Sequence, residues 1–342
     1  MADASALDGA TPLVEASDLV VSFRQHDGGG TFRAVDAVSL AVAPGEVVGL
    51  VGESGSGKTT FAKAILRLYR PGGGTLRFAG RDITTLGEGA LRPLRRHMQM
   101  VFQDPLSSFN PRVRIRDALA LPLRLHGGVT AGELDAKVAA LLARVGLGPQ
   151  FAPRYPHEMS GGQLQRVAIA RAIAVGPRLI VADEAVSKLD VSVRAQILNL
   201  LRDVQAETGV AMLFITHDLR VARYLCDRIG VMFFGRLVEL GPTAEVFARP
   251  THPYTRALLA TLDHEGGDVA ALEPPPPFAA GGCRYRTRCP IARESCRTQR
   301  PELQAVAGAG HEIAGAGLGV TGAVHRVTGA GHEVACPHAA AG

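Results

Sequence analysis

Nine consecutive residues, Gly52-Glu53-Ser54-Gly55-Ser56-Gly57-Lys58-Thr59-Thr60, satisfy the spacing G-x-x-x-x-G-K-[ST]. That composition suits a nucleoside triphosphate. Glycine lets backbone N–H groups close on phosphate oxygens. A helix starting at Lys58 adds its orphan donors and the positive end of its dipole. Lys58 can reach the β- and γ-phosphates, and the Thr59 hydroxyl can ligate Mg²⁺. Asp183 and Glu184 close a fully apolar run, Leu179 to Ala182. An aspartate at such a strand end can hold Mg²⁺, and the glutamate beside it can act as general base toward a water. Gln103 and His217 end two further apolar runs. Gln103 can ligate Mg²⁺ and sense the γ-phosphate, and His217 can hydrogen-bond it.

A second cluster of reactive side chains lies at the other end of the chain. Four of the five cysteines, Cys283, Cys289, Cys296 and Cys336, follow position 282. In a reducing compartment such a cluster points to metal more than to disulfide. Four thiolates close around an Fe–S cluster or a zinc, and the spacing does not choose between them. The absence of a C-x-x-C pair weakens a structural zinc. Arg284, Arg286 and Arg288 would offset the charge of a four-thiolate cluster. His332 and His338 are possible substitute ligands, while Cys226 reads as a small buried residue.

The elements that position these groups follow from periodicity. Val47 to Val51 is a buried strand feeding the glycine-rich loop, and Lys58 to Leu68 is its helix. Leu19 to Phe23, Val35 to Val42, Thr75 to Ile83 and Met98 to Phe102 read as strands or strand pairs. Between about 104 and 175 strands give way to helices, including Ile115 to Leu125 and Gly132 to Val145, and Ser160 is a good N-cap for a helix over Gln163 to Ala174. Val193 to Glu207 is helical, Ala211 to Thr216 is a strand, Ile229 to Leu240 is a strand pair, and Ala244 to Leu262 is mostly helical. Strands alternating with helices argue a parallel α/β core, whose ligands bind at the carboxyl ends of strands. Gly52, Gln103, Asp183, Glu184 and His217 all follow strands at that end.

Residues 1–15 read as a disordered leader and 16–262 as one nucleotide-binding domain. Residues 263–282, with four prolines at Pro274 to Pro277, form a stiff linker to a Cys-rich module over 283–342. A net charge of +5 with a pI near 9.1 is too mild to argue for nucleic acid. No apolar run reaches the ~18 residues of a membrane span. The N-terminal stretch has no secretory pattern, which places the chain in the cytoplasm.

Met159-Ser160-Gly161-Gly162-Gln163-Leu164-Gln165-Arg166 is a second glycine-rich helix start. One chain rarely needs two phosphate grips for one nucleotide, so the second is suited to the nucleotide of a partner. This stretch closely resembles the signature motif of ABC-transporter ATPases, and the resemblance covers about residues 16 to 262. Gln103 resembles the Q-loop glutamine, Leu179 to Glu184 the Walker B strand, Ser187 to Asp190 the D-loop, and His217 the switch histidine. Phe23 sits where the family's aromatic stacks on adenine. The nearest relatives usually have proline and a small residue where this chain has Ala185 and Lys188. The fold implied is α/β: a P-loop ABC-type ATPase core with an antiparallel β subdomain and a helical insert, plus a small Cys-rich C-terminal module.

Three stretches resemble the dipeptide/oligopeptide importer branch: Phe102 to Pro111, Asp190 to Leu198 and Thr251 to Leu258. The resemblance implies two ATP molecules with Mg²⁺ sandwiched in a dimer. Each lies between the phosphate loop of one subunit and Ser160, Gly161, Gly162 and Gln163 of the other. It further implies a second, paralogous ATPase subunit, two transmembrane permease subunits docked on the helical insert, an external substrate-binding protein, and no nucleic acid. The location implied is the cytoplasmic face of the inner membrane. For the tail it implies a [4Fe–4S] cluster, with zinc as the alternative. Importers of nickel complexes or glutathione, and a soluble ABC ATPase outside transport, are the competing functions.

Overall fold

The computed structural model describes residues 11–24, 30–126, 128–130, 132–262, 281–306 and 331–339. Most of the expected leader (1–10) and nearly all of the proline-rich linker (263–280) lie outside the described residues. Two strands open the chain, β1 (Val14–Arg24) and β2 (Thr31–Val42). They pair antiparallel, and β4 (Gly73–Phe78) and β5 (Arg81–Asp82) complete a four-stranded sheet in the order β2-β1-β4-β5. Leu13 and Val14 are already buried, so ordered structure begins inside the stretch expected to be leader. Alternation of apolar Val14, Ala16, Leu19 and Val21 with polar neighbours supplies the buried face.

The second sheet has eight strands. Its parallel centre contains β3 (Val47–Val51), β6 (Met98–Val101), β7 (Leu179–Asp183), β8 (Ala211–Thr216) and β9 (Arg228–Phe233), in the order β9-β3-β8-β7-β6. Every residue of β3, β7, β8 and β9 is buried. That explains their near-continuous apolar runs, because a parallel sheet is covered on both faces. The register aligns Val51 with Thr216 and Asp183 with Ile215, and Val101 with Ala182. The residues that leave these strands therefore emerge at one edge.

Helices cover the sheet. α1 (Lys58–Ile65) follows β3 and α2 (Glu88–Arg95) precedes β6. The latter was not legible, because Pro93 interrupts its pattern. α3 (Ile115–His126), α4 (Leu134–Arg144) and α5 (Gly161–Ile173) form the helical insert and pack on one another. α6 (Val191–Thr208) and α7 (Leu219–Leu225) flank β8, and α8 (Thr243–Ala248) and α9 (Pro253–Ala260) follow β10 (Arg236–Pro242), which pairs antiparallel with β9.

The C-terminal segment, expected as a Cys-rich module over 283–342, packs against the main sheet. A short helix α10 (Ser295–Thr298) and two short strands, β11 (Gln304–Ala305) and β12 (Glu333–Val334), return to the main sheet. β12 pairs antiparallel with β10, and β11 with β12. Asp36 of β2 is buried between Arg236 (2.8 Å) and Arg284 (2.6 Å), while Arg300 donates to its backbone carbonyl at 3.1 Å. His332, also buried, meets Glu239 of β10 at 2.6 Å. Glu239 is fully enclosed and accepts from the Thr251 and His252 amides as well.

Candidate nucleotide site

The phosphate loop is built by close backbone approach. A Cβ on Gly52 would collide with the Met232 carbonyl oxygen, and one on Gly57 with that of Ala34. Both positions also take φ values of +148° and +100°, which L side chains rarely adopt. Lys58 is buried at the base of the loop. Its Nζ donates to the Gly52 and Glu53 carbonyls, both at 2.7 Å, and to Ser56 Oγ at 3.2 Å. Burial pulls its pKa down to about 8, against the pull of Glu184, Asp183 and Glu53. Ser54 and Gly55 are exposed at the loop's crest. Thr59 Oγ1 donates to Asp183 Oδ1 at 2.8 Å across a sequence separation of 124. Asp183 is buried, and burial raises its pKa despite the Thr59 bond. Thr60 stands beside them in the first turn of α1.

Glu184 turns out of β7 with φ +46°, a left-handed conformation uncommon for a non-glycine residue. Its amide donates to the Ile215 carbonyl at 2.9 Å, and its own carbonyl accepts from Ser187 Oγ at 3.0 Å. The carboxylate is held from two sides. Gln103 Nε2 donates to Oε2 at 2.7 Å, and His217 Nδ1 lies 3.3 Å from Oε1. The His217 hydrogen bond, with Lys58 nearby, outweighs burial and holds the Glu184 carboxyl below its usual range. The same bond raises His217. Five sequence-predicted groups therefore meet at one edge: Lys58, Gln103, Asp183, Glu184 and His217.

The second glycine-rich stretch stands apart as a preformed helix start. Ser160 is the N-cap of α5, its Oγ accepts from the Gln163 amide at 3.3 Å, and Gln163 Oε1 accepts from the Ser160 amide at 3.1 Å. This reciprocal capping box leaves the end of α5 defined while Ser160 and Gly161 stay exposed. Gly162 packs on Val193 so closely that a Cβ there would clash with the valine side chain. Asp190 and Lys188 are exposed before α6, and Ala185 is buried. Phe23 is 41% exposed at the tip of β1, edge-on to Tyr69 with centroids 5.4 Å apart.

Two further features were not found by sequence reasoning. Arg194 donates to Asp218 at 3.2 Å, tying α6 to the turn that carries His217. Tyr254 receives the Glu53 amide at 3.0 Å. Each pairing joins separate elements, and no local pattern announces it.

A family model described as "ABC transporter" matches residues 35–187, and one described as "Oligopeptide/dipeptide transporter, C-terminal region" matches 238–296. The chain is 46% identical over 288 residues to the oligopeptide transport ATP-binding protein AppF of Bacillus subtilis, covering 81% of this chain and 88% of that protein. The chain belongs to the ABC transporter ATPases. It is also 43% identical over 314 residues to OppF of Escherichia coli, covering 87% of this chain and 94% of the relative. Among solved structures, the cassette MJ0796 in a dimeric post-hydrolysis state bound to ADP and Pi aligns with a TM-score of 0.62 at 30% identity. That alignment covers 67% of this chain and 98% of the other. This cassette is thus an ATP-binding, ATP-hydrolysing protein of the family's peptide branch.

The cysteine segment of the cassette tests the metal expectation. Cys283, Cys289, Cys296 and Cys336 are all free thiols and partly exposed. They lie within electrostatic reach of one another, which together with burial raises Cys283 and Cys289. Cys283, Cys296 and Cys336 line one cavity of about 240 Å³ with Ser295 and His338. The donor chemistry suits a thiolate-bound cluster. The arrangement does not: among the described residues no three His, Cys, Asp or Glu side chains are set to hold an ion. His332 is committed to Glu239 and His338 to Ser295 (2.9 Å), so neither stands ready as a substitute ligand. Cys226 is buried against Gly49, as expected, and burial pushes its thiol up. Among the described residues no helix is long and apolar enough to cross a membrane.

Proposed function

We propose that this cassette is the motor of a di-/oligopeptide importer, and that its ATP site is completed by the signature helix of a second cassette. The observation that carries the reading is the pair of separate glycine-rich helix starts. One is backed by Lys58, Thr59 and Asp183, and the other, at Ser160, is capped and exposed with no catalytic group of its own. Phe23 is assigned to the adenine. Lys58 and the loop amides bind the phosphates. Thr59, Asp183 and Gln103 would hold Mg²⁺, which supplies charge neutralisation on the phosphate oxygens. Glu184, kept ionised by His217, accepts a proton from the attacking water through its carboxylate. Gln103 and His217, both bonded to Glu184, link that base to the groups that meet the γ-phosphate. Asp190, at the head of α6, faces the neighbouring subunit.

The importer reading draws on the names of the relatives and on the branch-specific match over 238–296. It includes a paralogous second ATPase, two transmembrane subunits, an external substrate-binding protein, and peripheral attachment at the cytoplasmic face of the inner membrane. Glu184→Gln tests the site. The variant should bind ATP, lose at least about a hundredfold in turnover as expected for a lost general base, and accumulate as an ATP-bound dimer in size-exclusion chromatography. Near-normal hydrolysis would remove Glu184 from its role. The tail reading, a [4Fe–4S] cluster on the four late cysteines with zinc as alternative, is supported by donor type alone. Protein purified without oxygen should carry iron, sulfide and a brown absorbance that Cys289→Ser bleaches. Colourless, iron-free protein refutes it.

A further inference from the structure

Tyr254 lies in none of the nucleotide motifs, yet its hydroxyl touches the phosphate loop. The Glu53 N–H donates to it at 3.0 Å. The peptide unit involved has two ends. Its N–H belongs to Glu53 and meets Tyr254, while its C=O belongs to Gly52 and accepts from Lys58 at 2.7 Å. A peptide is planar, so fixing one end fixes the other. Tyr254 therefore sets the orientation of the carbonyl that cradles the phosphate-binding lysine.

The ring of Tyr254 is buried and leans on the cysteine segment. Its centroid is 5.5 Å from that of Tyr285, two residues after Cys283, and Phe233 completes the cluster at 4.6 Å from Tyr254 and 5.3 Å from Tyr285. Arg288, from the same segment, lies within electrostatic reach of Glu53. A second brace reaches the loop at Ser56. Arg284 holds Asp36, the Asp36 amide donates to the Gly235 carbonyl at 2.8 Å, and the Gly235 amide donates to the Ser56 carbonyl at 2.7 Å. The cysteine segment is thus connected to the phosphate loop at Glu53 through Tyr254 and at Ser56 through Asp36 and Gly235.

We propose that Tyr254 is a positioning residue for the phosphate loop, and that through it the segment from Cys283 to Cys289 sets how tightly the loop grips a triphosphate. This inference rests on the ATP-site reading above. It predicts that chemistry at the tail thiols changes nucleotide affinity without any contact between thiol and nucleotide.

The test measures binding of a fluorescent ATP analogue with Mg²⁺ to the full chain, as wild type, Y254F and K58A. Each is measured before and after capping of the accessible thiols with methyl methanethiosulfonate; Cys226 is buried and spared. Y254F keeps the ring and removes only the hydroxyl. Its affinity should fall about two- to tenfold, the worth of one hydrogen bond, with thermal unfolding near that of wild type. Capping should change wild-type affinity at least twofold and change Y254F by clearly less, because the Tyr254 link is cut while the connection through Arg284, Asp36 and Gly235 remains. Wild-type affinity in Y254F, or an equal effect of capping on both proteins, overturns the inference while leaving the ATP site standing. Binding by K58A equal to wild type would instead overturn the site reading and the inference with it.

Discussion

Asp36→Ala should be strongly destabilising. The Asp36 side chain is 3% exposed, and two of its partners, Arg236 and Arg284, are 13% and 10% exposed. Arg33, at 3.2 Å, is 60% exposed and contributes little. Deleting the carboxylate leaves two guanidinium groups inside the protein without their common counter-charge. Breaking such a buried pair costs about 3–5 kcal/mol. Burial works to raise the Asp36 pKa, but the hydrogen bond and charge of Arg236 and the charge of Arg284 outweigh it, so the folded value lies below the ordinary one. A carboxyl depressed in this way stabilises the fold above its unfolded pKa of about 3.9 and loses that contribution as pH falls through the folded value. Urea unfolding followed by circular dichroism should show the full deficit at pH 7 and a shrinking one below about pH 4. A double mutant with Arg284→Met should recover part of the loss, since it removes one of the two cationic groups that Asp36 neutralised. A deficit under about 1 kcal/mol at pH 7, or one independent of pH, would refute the reasoning.

Two other expectations follow. Truncation before residue 281 removes Arg284, Tyr285 and His332, leaving Glu239 buried with two amide donors and no His332. The shortened chain should unfold at lower urea and bind ATP more weakly; unchanged stability and affinity would restore the picture of an independent tail. Glu184 is lowered and His217 raised by their mutual bond. Glu184 is therefore favoured above about pH 4.3 and His217 below about pH 6.5, so the ion pair is strongest between those values. His217→Ala should shift the acid limb of the ATPase pH profile upward, and an unmoved limb would show that His217 does not hold the base.

The strand-end edge was legible in the sequence because each of its pieces is local. Gly52 to Thr60 is one unbroken stretch, and Asp183-Glu184, Gln103 and His217 each terminate an apolar run. The parallel register that unites them follows from four continuous apolar strands. The attachment of the tail to the main sheet was not legible because its contacts are long-range and brief. β12 has two residues, too few for any periodicity, and Asp36 meets Arg284 across 248 positions. Proline, glycine and cysteine composition suggested separation, whereas the side chains that matter are single arginines, one histidine and one tyrosine. α2 was missed for a different reason: it is only eight residues long and holds both Gly89 and Pro93, two poor helix formers.

The pairing of Glu239 with His332 also has a history in time. The two residues are 93 positions apart, and chains lengthen at about 5–20 residues per second. For roughly 5–20 s after β10 has been made, its outer edge has no β12 to pair with and its glutamate has no imidazole. A nascent cassette is thus exposed at one sheet edge until its last strand is synthesised. That interval is when a chaperone would be most useful to it, and when an interrupted chain would be easiest for a protease to recognise.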